Sequence, residues 1–132
     1  MVPNILVVAD EDWVIDDVRA ALSDTAYIIT VVSNPRAAVD QAAEIEADVV
    51  LVDLQVGSMG GMAVTRSLRG ETDVGGTDHV PTILLLDREA DSFLAGRSGA
   101  DSWLRKPFGS FELRDLIDDL TGARSPKGEA TR

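Results

Sequence analysis

The sequence predicts an α/β fold in which a parallel five-stranded sheet is covered by helices on both faces. Two observations carry this. Four short apolar runs rich in β-branched residues, and a fifth weaker run, alternate with stretches of helical spacing, so the order reads as strand–helix repeated five times. Within those runs successive residues are apolar rather than every second one. That is the pattern of strands buried on both faces, and hence of a parallel sheet between helical layers.

The strands are read at Ile5–Val8, Ile28–Val32, Val49–Val52 and Thr82–Leu86, with a weaker fifth at Ser102–Arg105. In the first helix Val14, Val18, Ala21 and Leu22 share one stripe, while Asp16, Asp17 and Asp24 point elsewhere. The second opens at Asn34-Pro35, an N-cap followed by proline at the first helical position, and runs through Ala38, Ala42 and Ile45. Further helices are expected over about 62–68, 91–97 and 111–120, the last stopped by Gly122. Residues 69–80 are polar and glycine-rich and read as a mobile loop at the sheet edge away from the strand C-termini, with His79 as a surface residue. One domain is expected over residues 1–122, with a small, polar, flexible tail at 123–132 and no room there for an output domain.

Composition removes several classes of function. Of 132 residues, 23 are Asp or Glu and 12 Lys or Arg, for a net charge of −11, which repels phosphate backbones and anionic lipid. Neither nucleic-acid nor membrane binding is expected. The absence of cysteine excludes disulfides, thiolate metal sites and thiol nucleophiles. There is no positively charged leader and no apolar run of membrane-spanning length, so a cytoplasmic location is expected.

Charged residues gather where three strands end: Ala9-Asp10-Glu11-Asp12 after the first, Asp53 after the third, and Arg105-Lys106-Pro107 after the fifth. Ligands in open α/β sheets bind at this edge. Clustered carboxylates need a cation to neutralise them, and oxygen ligands at a hydrated site suit Mg²⁺. An ammonium beside them is a point charge for an anionic group such as phosphate. A carboxylate between a divalent ion and a lysine is a nucleophile placed to take a phosphoryl group. Lysine is otherwise scarce: Lys106 and Lys127 are the only two, and the second lies in the tail.

The segments ILVVADE at 5–11, DVVLVDLQVGSMGG at 48–61, VPTILLLD at 80–87 and SGADSWLRKPF at 98–108 resemble response-regulator receiver domains, the phosphoacceptor modules of two-component signalling, over about residues 3–121. The resemblance implies a flavodoxin-like sheet of order 2-1-3-4-5. It implies that Asp53 accepts a phosphoryl group from a histidine kinase or phosphotransfer protein. Mg²⁺ would be held by Asp10, Asp53 and the backbone carbonyl of Gln55, and Lys106 would pair with phosphoryl oxygens ahead of a cis Pro107. The chain is then a signalling domain that phosphorylates and dephosphorylates itself rather than an enzyme with a separate substrate. Its output surface would be the face of the fourth helix, fifth strand and fifth helix, where Glu112, Asp115, Asp118 and Asp119 suit a basic partner.

Three departures from that family stand out. Ala9 replaces the first of two acids, with Glu11 as a compensating ligand; sliding the register to pair Asp10 with Glu11 would put Arg19 and Ser23 on the apolar stripe. Leu86 stands where a Thr or Ser hydroxyl would bond the phosphoryl group and link it to an aromatic switch, here Trp103. Asp87 follows, adding charge that argues for a short-lived phosphorylated state. Gly57 replaces a proline. Gln55 and Arg88 occupy positions that tune dephosphorylation, Arg88 either touching phosphate or simply solvated. Trp13 is expected to be a packing or interface aromatic. Two functions follow: a stand-alone phosphoacceptor that signals by binding another protein, or a phosphorylation-independent interaction module that keeps the fold without the switch. A nucleotide-binding domain of similar topology is disfavoured, because ADEDW stands where a glycine-rich phosphate loop is needed.

Overall fold

The computed structural model describes residues 2–23, 27–57, 60–75 and 80–122, with backbone alone over 70–75. Five strands, β1 (Asn4–Val8), β2 (Ile28–Val32), β3 (Val49–Asp53), β4 (Thr82–Leu86) and β5 (Ser102–Arg105), form one sheet in the order β2-β1-β3-β4-β5. Every pairing is parallel. Helices α1 (Asp12–Ala21), α2 (Ala38–Glu44), α3 (Gly61–Gly75), α4 (Ser92–Ser98) and α5 (Ser110–Thr121) complete the doubly wound sandwich expected from the sequence.

The unbroken apolar runs explain the two cores. Ile5, Val7, Leu51, Ile83 and Leu85 pack on one face against Val14, Val18, Leu113 and Ile117 of α1 and α5. Leu6, Val8, Val50, Val52, Leu84 and Leu86 pack on the other against Ala38, Val64, Leu68 and Ala95 of α2, α3 and α4. Each fully buried Leu, Ile or Val contributes about 1.5–3 kcal/mol of transfer free energy, so both faces must be covered for the sheet to be stable. The register of the first helix is as read: Val14, Val18, Ala21 and Leu22 are buried, and Arg19 and Ser23 are exposed. Ala9 is fully buried, and its N–H donates to the Val32 carbonyl at 3.2 Å.

Asn34 caps as expected, its side-chain oxygen accepting from the Arg36 amide, but the first turn, Pro35–Ala37, is 3₁₀ before α2 begins. A 3₁₀ turn, Glu89–Asp91, likewise precedes α4. Gly122, at φ +76°, adopts the left-handed conformation that closes α5, one favourable to a residue without Cβ. One expectation needs correction. Residues 69–75 are not loop: α3 continues to Gly75, because a glycine inside a helix costs only about 1 kcal/mol and does not by itself end one. His79 and the tail 123–132 lie outside the described residues. Among the described residues, no helix is long and apolar enough to cross a membrane.

Candidate functional site

Parallel strands in register bring their C-terminal ends to one edge. Val8 pairs with Val52, Asp53 with Leu85 and Leu86 with Arg105, so Asp10, Asp53, Asp87 and Lys106 emerge together. Asp53 belongs to the last turn of the pleat on the α1/α5 side, following Leu51, and is 1% exposed. Lys106 leaves β5 with its N–H donating to the Leu86 carbonyl, and the peptide to Pro107 is cis. Its ammonium donates to Asp53 Oδ1 at 2.7 Å, a pair buried on both sides. Such a pair is costly to desolvate and is held only where further polar groups satisfy it. Here the Gln55 amide also donates to Asp53 Oδ1, at 3.2 Å.

The other oxygen, Asp53 Oδ2, is buried and has no hydrogen-bond partner. A buried carboxylate oxygen left unpaired is unfavourable by an amount comparable to a lost hydrogen bond, so its retention points to a ligand. Asp10, exposed at the end of β1, has its Oδ2 accepting from the Gly57 amide at 3.0 Å, which ties the β1–α1 turn to the loop after β3. Gly57 has φ +49°, a conformation that proline cannot adopt, and a Cβ there would come within 3.0 Å of Pro35. The proline-to-glycine departure is thus matched by a different loop backbone.

These donors fit a hard divalent cation such as Mg²⁺: a carboxylate oxygen already desolvated and unpaired and a second carboxylate at the rim, with water for the remaining positions. The set is lean. Among the described residues no three acidic or histidine side chains converge into a metal-binding group. Ala9 is buried and supplies no carboxylate there. Glu11 is exposed at the N-cap of α1 and makes no side-chain capping bond.

Two contacts to Lys106 were not legible from spacing. Asp87 Oδ1 lies 3.0 Å from its Nζ, so the same ammonium is shared between two carboxylates. The Trp13 ring, at the start of α1, has its centroid 5.1 Å from Nζ, within cation–π range. Other expected residues are not brought to the cleft. Leu86 is 1% exposed in the core under α2, α3 and α4. Trp103, opposite Leu84 in the ladder, is partly exposed on that same side of the sheet, near Gly96 of α4. The Gln55 side chain is exposed, while its backbone amide is at the cleft on Asp53.

Arg88 is turned away into a local structural role. Its amide donates to Asp91 Oδ2 at 3.1 Å and its guanidinium to Oδ1 at 3.0 Å, so Asp91 closes the turn before α4. Burial raises the Asp91 pKa, but the hydrogen bonds from the Arg88 side chain and backbone, the guanidinium charge and the Asp87 amide together hold it below the ordinary aspartate value.

Comparison with known proteins agrees with this fold. The family model "Response regulator receiver domain" matches residues 5–118. The chain is 31% identical over 112 residues to the sensory transduction protein RegX3 of Mycobacterium tuberculosis, covering 83% of this chain and 47% of that protein. It is 34% identical over 125 residues to the response regulator MprA of Mycolicibacterium vanbaalenii, covering 93% and 52% respectively. The chain therefore spans about half the length of the curated relatives it matches. Among solved structures, a response regulator of Chloroflexus aurantiacus superposes with TM-score 0.82 at 18% identity, over 92% of this chain and 99% of that one. The receiver domain of the sensor histidine kinase PA1611 of Pseudomonas aeruginosa, which has a magnesium ion coordinated in its active-site cleft, superposes with TM-score 0.77 at 25% identity over the same shares. The chain belongs to the response regulator receiver domain family of two-component signalling.

Proposed function

We propose that this receiver accepts a phosphoryl group on Asp53 from a histidine kinase or phosphotransfer protein, and that it passes the signal on by binding another protein. The single observation that carries this reading is the state of the Asp53 carboxylate. One oxygen is held by the buried Lys106 ammonium, and the other is buried and unpartnered. A carboxylate so placed is fixed in orientation and shielded from water, while one oxygen has no competing partner when a cation or a reacting phosphorus arrives. Lys106 supplies positive charge where phosphoryl oxygens would gather. Asp10, Asp53 and the Gln55 carbonyl would hold Mg²⁺, which when bound neutralises charge on the carboxylates and the incoming phosphoryl group.

The output surface of this reading is the side of α4, β5 and α5. Phe93 and Leu94 on α4, Trp103 on β5 and Phe111 on α5 are exposed large apolar groups, which favours a protein partner. The four acids of α5 contribute less to partner choice than their number suggests. Glu112 accepts from the Gly109 amide at 2.9 Å, and Asp118 accepts from the Tyr27 hydroxyl at 3.0 Å. The chain's net charge of −11 favours a protein over nucleic acid as that partner.

The test is direct. Incubation of the protein with Mg²⁺ and acetyl phosphate, followed by intact-mass measurement, should add one phosphoryl group to the wild type and none to Asp53→Asn. A wild type that stays unmodified with small donors and with kinase alike would favour the second reading, a phosphorylation-independent interaction module. Buried Leu86 supports that second reading, since it places no hydroxyl at the end of β4.

A further inference from the structure

Lys106 is the only lysine among residues 1–122, and its ammonium is contested. It donates to Asp53 Oδ1 at 2.7 Å and forms an ion pair with Asp87 Oδ1 at 3.0 Å, while the Trp13 ring lies 5.1 Å from Nζ. Asp87 comes from the end of β4, on the strand next to β3, and its side chain is 35% exposed at the mouth of the cleft. Among the described residues, that carboxylate is seen to pair with Lys106. It therefore stands on the cation that an incoming phosphoryl group would need, and it adds a negative charge where an anionic donor must approach.

We infer that Asp87 is a positioning residue. In the unphosphorylated protein it holds Lys106, and it competes with the phosphoryl group for that ammonium. This chain's own carboxylate thereby slows phosphorylation of Asp53 and shortens the life of the product. The inference rests on the reading of Asp53 as phosphoacceptor. In the step concerned, a carboxylate oxygen of Asp53 forms the new O–P bond as the P–O bond to the acetate of acetyl phosphate breaks. Acetate leaves with the electron pair, and no proton is transferred. The phosphoryl oxygens then need Lys106, and Asp87 must release it. Two anionic groups crowd one ammonium, whereas a neutral residue at position 87 would leave the ammonium to the phosphoryl group alone.

The experiment compares the full chain as wild type, Asp87→Asn, Asp87→Ala and Asp87→Glu, each with Mg²⁺ and acetyl phosphate. The rate of adduct formation is followed by intact mass, and so is its decay after donor removal. Asp87→Asn and Asp87→Ala should be phosphorylated about tenfold faster than wild type, the low end of what one sign of charge lining a cleft does to the arrival of a charged reactant. Their adducts should also decay more slowly. Asp87→Glu, which keeps the charge, should restore slow phosphorylation. Equal or lower rates in the neutral variants, with adduct on the wild type, overturn the role of Asp87 and leave phosphoacceptance standing. A glutamate variant as fast as the asparagine one also overturns it, because charge would not be the cause. No adduct on any variant, with acetyl phosphate and with a phosphorylated histidine kinase as donor alike, overturns both readings.

Discussion

The ends of β3 and β4 lie side by side in the sheet, yet they are built on opposite principles. The end of β3 is polar, buried and tight: Asp53 has its oxygen on Lys106, and the start of α3 presses against its backbone. The end of β4 is apolar where the cleft is nearest, with Leu86 in the core, and charged one residue later, with Asp87 on Lys106 and Asp91 on Arg88. In the proposed function, the β3 end supplies the parts that would receive a phosphoryl group. The β4 end carries Leu86, which offers no hydroxyl, followed by Asp87, whose carboxylate pairs with the same lysine. The two strand ends meet at Lys106, which pairs with Asp53 and with Asp87.

The largest effect should come from breaking the shared element. Lys106→Met leaves Asp53 as a buried carboxylate without its cation, and removing one partner of a buried pair typically costs about 3–5 kcal/mol. Asp53→Asn should cost far less, at most about 1 kcal/mol, because Lys106 keeps Asp87 and a neutral amide is cheaper to bury. Urea unfolding of the two variants in Mg²⁺-free buffer checks the asymmetry, and equal losses would show that Asp87 does not hold Lys106. A smaller effect is expected from Gly61→Ala. Its new Cβ would lie 2.6 Å from the Asp53 carbonyl oxygen and 2.7 Å from Leu54 Cα, both backbone atoms that cannot swing aside. Overpacking of this kind costs about 1–3 kcal/mol. The same denaturation series should place it between Lys106→Met and wild type.

Much of this was readable in the sequence, and the reason differs by element. Strands apolar at every position announce burial on both faces, and in a parallel sheet their ends must meet at one edge, so Asp10, Asp53 and Lys106 could be grouped from spacing alone. The length of α3 was not readable. Gly70 and Gly75 look like breakers, but local propensity is about 1 kcal/mol per glycine, and the helix runs through to Gly75. The contacts of Lys106 with Asp87 and Trp13 were hidden for a different reason. Asp87 was visible as an added charge near the cleft, but sequence order does not say which of two carboxylates a long flexible side chain will reach. The role of Arg88 had a usable signal. An acid three residues on, at Asp91, is the N3 half of a capping box, and it accounts for Arg88 without any contact to the cleft.

That last pairing gives the mildest prediction, and it isolates the β4 side of the comparison. Asp91 is buried and ionised, with its pKa lowered because the Arg88 side chain and amide, together with the Asp87 amide, outweigh the opposing effect of burial. A carboxyl whose folded pKa is depressed contributes stability that is fully present above its unfolded pKa and is lost as pH falls through the folded one. Asp91→Ala should therefore cost about 1 kcal/mol at neutral pH, the usual value of a helix cap, and progressively less as the pH drops below the ordinary aspartate range. Thermal unfolding of wild type and variant from neutral to acid pH measures the converging difference. The Asp53 adduct rate with acetyl phosphate should be little changed by the substitution at neutral pH, because Asp91 holds Arg88 and not Lys106. A large change in that rate would instead mean that the turn before α4 positions Asp87, and would join the two halves of the β4 end into one device.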